Sequence, residues 1–183
     1  MDKKCILRAT RHWLEETVIG RNLCPFAKLP LARGEVRLTV SAACSPAELL
    51  LDLADELQWL DTAPDVETTL LIHPDVLQDF GHYNQFLAQA EGLLYQQGYE
   101  GIYQLASFHP DYRFAGTSAD AAQNYSNRSP YAMLHLLREA SVERAVAAHP
   151  DPQQIPQRNI EQLEAVGRDA LHRALSQCYA VDD

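Results

Sequence analysis

Apolar positions recur along the chain in two rhythms, and the switches between them lay out the elements. From Cys5 to Gly20, the residues Ile6, Leu7, Ala9, Trp13, Leu14 and Val18 return at helical spacing. Arg8, Arg11, Glu15 and Glu16 take the rest of the cylinder, which predicts an amphipathic helix stopped at Gly20. Residues 35–41 alternate instead, with Val36, Leu38 and Val40 on one side and Glu35, Arg37, Thr39 and Ser41 on the other. That is the pattern of a half-exposed strand near a sheet edge. Ser45, Pro46 and Glu48 spell a capping box with proline in the first turn, and the helix behind it buries Leu49, Leu50, Leu53, Leu57 and Leu60. ETTLLIH at 67–73 is a continuous apolar run and predicts a central strand. Phe80 to Gln97 predicts a second long helix, with Phe80, Tyr83, Leu87, Ala90 and Leu94 as its stripe, and GIYQLASF at 101–108 predicts a third strand.

Between His109 and Arg128 both rhythms lapse into a long polar loop. Ser129 and Pro130 then predict the cap and first turn of a helix running toward His149, with a break near Ser141. Pro150, Pro152 and Pro156 mark a linker at 150–158. Asn159 to Cys178 predicts one amphipathic helix through Ile160, Leu163, Val166, Ala170, Leu171, Ala174 and Cys178, set either on the sheet or in a homodimer contact. Strands alternating with helices predict an α/β fold. Its sheet is small and mostly parallel, about three to four strands flanked by helices, with a helical C-terminal part. A ferredoxin-like α+β arrangement is the alternative if one more strand is present. All of 1–183 reads as one domain: an α/β core at 1–149, the linker, and the helix at 159–178.

Composition narrows the partners. Hydrophobic residues make up 46% and charged residues 22%, the balance of a chain that folds around a core. Fifteen Lys and Arg against 25 Asp and Glu leave a net charge of −10, which disfavours nucleic acid and anionic membranes as partners. From Gly101 to Ala140, however, Asp111, Asp120 and Glu139 are balanced by Arg113, Arg128 and Arg138, so a small anionic ligand is admissible there. No apolar run is long enough to span a membrane, and charges interrupt the N-terminal stretch. The expectation is a cytoplasmic protein in which Cys5, Cys24, Cys44 and Cys178 are reduced thiols.

The candidate chemistry is densest from Phe108 to Glu139. Two predicted strands end alike, in His73-Pro74-Asp75 and His109-Pro110-Asp111. In parallel sheets ligands bind beyond the carboxyl ends of strands, so the two imidazoles would converge. The same tripeptide at His149 follows a helix, and turn chemistry alone accounts for all three. Asn124, Asn127, Arg128 and Ser129 would present amides, a guanidinium fork and a helix N-terminus to an anion, with Arg113 from the loop. Ordinary capping by Ser129 beside a solvated Arg128 gives the same pattern. Within the predicted helix, Tyr131, His135 and Arg138 share one face, so His109 and His135 would act as acid and base while Arg138 holds an anion. Cys24 is the candidate nucleophile, although a lone cysteine before proline is far more often structural. Cys24, His73, His109 and His135 are metal-ligand types, but their spacing matches no compact ligand pattern, so no metal ligand is assigned. No motif names a cofactor.

Four blocks carry a resemblance: IGRNLCPFAK at 19–28, ETTLLIHP at 67–74, ASFHPDYRFAG at 106–116 and NRSPYAMLHLLREASVERA at 127–145. They resemble the bacterial family catalogued as domain of unknown function 1415, from the first helix to about His149. The chain departs from the family pattern at Arg21, where that pattern has Leu, and at Ala132, where it has a second Pro. The resemblance implies that Cys24, His109, Tyr112, Arg113, Asn127, Arg128, Ser129, His135, Arg138 and Glu139 belong to the motif blocks, and it implies no activity. Two classes of function remain: an enzyme acting on a phosphorylated or carboxylated metabolite, and a non-catalytic regulatory or interaction module. A metal-dependent hydrolase is the weaker third.

Overall fold

A computed structural model describes residues 2–180. Its sheet has the order β1-β2-β4-β3, where β1 is Val36–Val40, β2 Thr68–Ile72, β3 Tyr103–Phe108 and β4 Met133–Arg138. β1 lies parallel to β2, with Val36 opposite Thr68. β4 is antiparallel to both of its neighbours, with His135 opposite Leu70 on one side and Ala106 on the other. The sheet is therefore mixed and not mostly parallel.

One segment causes this correction. Met133–Arg138 falls inside the helix expected from Ser129 to His149, yet it is a central strand. A six-residue apolar run such as MLHLLR cannot be assigned by periodicity alone, because strand and buried helix both accept it. The facing edges of β2 and β3 decide the matter: their N–H and C=O groups need partners, and only an extended segment supplies them. Helix α5 starts later, at Glu139, and runs through Ser141 to Ala148 without a break. The additional strand was the condition for the ferredoxin-like alternative. Even so, β1, β2 and β3 share one direction and are joined through helices.

Alternation along the central strands sorts the core into two layers. Leu71, Leu134 and Leu136 face α3 (Pro46–Thr62) and α4 (Phe80–Gln96), where Leu49, Leu53, Leu57, Tyr83, Phe86 and Ala90 are buried. Leu70, Ile72 and Met133 face α1 (Lys3–His12) and its continuation, a π-helical segment Trp13–Ile19, through Ile6, Ala9, Trp13, Leu14 and Val18. The capping box forms as expected. Ser45 Oγ accepts from the Glu48 amide at 3.3 Å, and Glu48 accepts from the Ser45 amide at 3.1 Å. At the other end of α3, Arg138 donates to the carbonyls of Leu60 (2.6 Å), Ala63 (3.1 Å) and Val66 (3.0 Å). Leu60 and Ala63 stand at the C-terminal end of α3, so Arg138 fastens α3 to β4.

A short helix, α2 (Lys28–Arg33), follows the Cys24 loop and has no counterpart in the sequence reading. The proposed linker is likewise structured: a 3-10 turn, Pro152–Gln154, leads directly into α6 (Ile155–Val166). The expected single terminal helix is two, because Gly167 sits at φ 81° between α6 and α7 (Arg168–Gln177). Their buried leucines, Leu163 and Leu171, pack with Leu23 and Tyr125, not on the sheet. No helix among the described residues is long and apolar enough to cross a membrane.

Candidate functional site

The side chains singled out in the sequence separate into three places. His73 and His109 do converge, although β4 stands between their strands. Both rings flank Tyr83 on α4, with centroid separations of 5.6 and 5.1 Å. Each side chain there bonds to the main chain, His73 through Nδ1 to the Val76 carbonyl at 3.0 Å with its Nε2 buried and unpartnered. Tyr83 donates to the Met133 carbonyl at 2.9 Å and accepts from the Phe108 amide at 3.1 Å. His109 Nε2 faces the Leu77 carbonyl at 3.2 Å, while Nδ1 accepts from the Asp111 amide at 3.0 Å, which fixes a neutral tautomer. His149 accepts the Asp151 amide in the same way at 3.1 Å, so the repeated His-Pro-Asp is a turn device. Burial lowers the pKa of His109 and takes that of His73 down to about 4.

His135 lies on the opposite face of the sheet, 5.9 Å from the Phe108 ring. Thr68 Oγ1 donates to the Leu136 carbonyl at 2.6 Å, so His135 Nε2, also 2.6 Å away, carries the proton and donates to that oxygen. Burial again lowers the imidazole pKa. His109 and His135 are thus divided by the sheet and do not form a pair. Strand geometry also separates His135 from Arg138, which point to opposite faces, and Tyr131 precedes the strand.

The loop residues act on one another. Buried Asn124 accepts from the Phe114 amide (3.1 Å) and the Thr117 hydroxyl (2.9 Å), and donates to the Ser118 carbonyl (2.9 Å). Arg128 donates to the carbonyls of Tyr112 (3.2 Å) and Ala119 (2.7 Å) and lies 4.6 Å above the Tyr125 ring. Ser129 caps no helix; its hydroxyl donates to the Tyr131 carbonyl at 2.6 Å. The expected helix N-terminus is therefore absent at this position, and with it the dipole that was to draw an anion there. Tyr131 packs edge-on to Tyr179 at 5.6 Å, and Arg113 is exposed.

Cys24 and Asn127 come together around a cavity of about 320 Å³. The π-helical segment builds its first wall. The Gly20 amide reaches back to Glu15 at 2.8 Å, and a Cβ at residue 20 would stand 2.4 Å from the Glu16 carbonyl oxygen. Glycine is thus required by close approach, its φ being ordinary at −59°. Asn22 then takes a left-handed φ of 51°, which asparagine tolerates, and turns Leu23 and Cys24 inward. Phe108 at the end of β3 forms the second wall. The third is the 3-10 helix Ala122–Ser126 with Asn127. Ile155, Ile160 and Leu163 of α6 close the fourth. Asn127 is pinned as a latch on β3, donating to the Ser107 carbonyl (3.1 Å) and accepting from Ser126 (2.9 Å). Burial raises the Cys24 pKa, partly offset by the amides of Phe26 and Ala27, so the group is a protonated thiol at neutral pH.

A larger cleft of about 440 Å³ lies between β1 and α3 and is lined by Glu48, Asp52, Asp55 and Glu56. Three of these carboxylates serve the fold: Glu48 in the capping box, Asp52 on Ser41 at 2.5 Å, and Glu56 on Arg37 at 2.8 and 2.9 Å. Among the described residues no three His, Cys, Asp or Glu side chains are arranged to hold a metal ion.

The sequence reading identified Cys24 and Asn127 but missed the rest of the cavity. Gln123, Asn159 and the α6 leucine and isoleucines lie in stretches read as loop, linker and dimer face. The one available signal was Leu163, whose place in an apolar stripe showed that some surface must cover it. The chain belongs to the family described as "Protein of unknown function (DUF1415)", whose model matches residues 5–173. The match extends past His149, so α6 and the cavity wall it supplies lie within the family's span. No curated protein and no solved structure matches the chain.

Proposed function

We propose that the protein binds a small, uncharged and mainly apolar metabolite in the cavity beside Cys24. The observation that carries this reading is the composition of the wall. Three of the four motif blocks contribute to it, and no lining residue is charged. Its size falls within the range of small-molecule sites, and its character, apolar with a few polar groups, is theirs too. The anionic ligand expected from the sequence has less support, because Arg128 and Arg138 spend their N–H groups on backbone carbonyls. An acid–base role for His109 with His135 has no shared space to act in. Cys24 is the reactive side chain on the wall, and as a protonated thiol without a basic lining residue it fits a contact better than a nucleophile.

Toluene and benzoate, a neutral and an anionic probe of one ring size, test the reading. The expected result is that toluene shifts the methyl NMR signals of Val18, Leu23, Ile160 and Leu163, that benzoate does so weakly at pH 7, and that Ile160→Trp abolishes the response. Failure of toluene to shift these methyls, or a response to benzoate alone, would overturn the proposal.

A further inference from the structure

The cavity contains five side chains able to hydrogen-bond, and the fold uses most of their capacity. Asn127 has both ends of its amide engaged, with Ser126 and the Ser107 carbonyl. Ser126 spends its proton on that contact. Asn159 donates to the Leu23 carbonyl at 2.7 Å, while its Oδ1 is buried without a hydrogen-bond partner. Cys24 Sγ receives the amides of Phe26 and Ala27. Gln123 differs. It lines the cavity from the 3-10 helix, it is partly exposed, and its side-chain amide makes no hydrogen bond among the described residues.

A primary amide offers one acceptor and a two-proton donor in a single plane. Its full complement is another planar donor–acceptor pair, as in a carboxamide or lactam. Set against apolar walls, such a group discriminates well, because a ligand that lacks the complement leaves the amide desolvated and unpaired. We infer that Gln123 is the specificity-determining residue of the cavity and that the ligand carries a carboxamide- or lactam-type edge on an apolar body. This rests on the binding reading above and adds the class of ligand to it.

Benzamide and toluene share a ring and differ in the amide, so their affinities isolate the contact. In the wild-type protein benzamide should bind about tenfold more tightly than toluene, the effect of roughly one to two neutral hydrogen bonds. In Gln123→Leu and in Gln123→Met, which keeps the side-chain length, the preference for benzamide over toluene should disappear. Equal binding of both probes to wild type, or a benzamide preference that survives in both variants, would overturn the inference and leave the cavity reading standing. If wild type binds neither probe, the cavity reading fails and this inference fails with it.

Discussion

The stack of His73, Tyr83 and His109 and the cavity beside Cys24 meet the end of β3 from opposite sides. His109 faces the stack, and Phe108, one residue earlier, faces the cavity. The stack holds the side chains that look most reactive in the sequence, and it is closed: His73, Tyr83 and His109 are buried and tied to main-chain atoms. The cavity is lined by residues of modest chemistry, yet it keeps both space and a free amide. The stack too has an unpartnered atom, His73 Nε2, but His73 lines neither cavity, so a candidate site is recognised by unused hydrogen-bonding capacity only where there is also room for a ligand. Residue type marks only where to look.

Several substitutions sharpen or break that contrast, and the largest effect belongs to the stack. Tyr83→Ala removes a fully buried ring and should cost about 3–5 kcal/mol in urea unfolding. Arg138→Met removes the guanidinium contacts that tie the end of α3 to β4 and should cost roughly 1–3 kcal/mol by the same measurement. If this variant instead kept its stability and lost affinity for a carboxylate or phosphate, the anion reading would return.

The acid limb of the stability curve comes next. His73 has a folded pKa of about 4, below its ordinary 6.5, so the unfolded chain binds the extra proton first as pH falls. Stability from the neutral, buried ring is complete above pH 6.5 and is lost through that window, amounting to roughly 3 kcal/mol. Lowered in the same direction, His109 and His135 steepen the limb. The loss of stability between pH 7 and 4 should therefore become shallower in His73→Phe, with His109 and His135 still contributing, and be unchanged in Cys24→Ser.

On the cavity side the effects are smaller on stability and larger on binding. Gly20→Ala forces a Cβ against the Glu16 carbonyl and should cost about 1–3 kcal/mol while weakening toluene binding. An unchanged toluene affinity would show that the π-helical segment does not shape the wall. The smallest effect concerns reactivity. Its pKa raised by burial, Cys24 should be alkylated by iodoacetamide at pH 8 more slowly than exposed Cys5 and Cys44, as peptide mass spectrometry would read. Equal rates would argue for an activated thiol and reopen a catalytic role.

What the sequence determined by itself is whatever rests on contacts close in the chain. Clean alternation identified β1, the apolar run at 68–72 identified β2, and Ser45 with Glu48 fixed the start of α3, because strand pleat and capping depend on neighbours a few residues away. Cys24 and Asn127 were visible as polar residues flanking such elements. Tertiary structure decided the rest. Met133–Arg138 became a strand because two sheet edges far away in sequence required one, and that single change moved His135 and Arg138 to opposite faces and removed the helix N-terminus at Ser129. Arg128 and Arg138 look like ligands until the carbonyls they serve, from 9 to 78 residues distant, fold into reach. Gln123 could not be singled out in advance, since an amide with neither end paired acquires meaning only when the other polar groups around it are seen to be at least partly engaged.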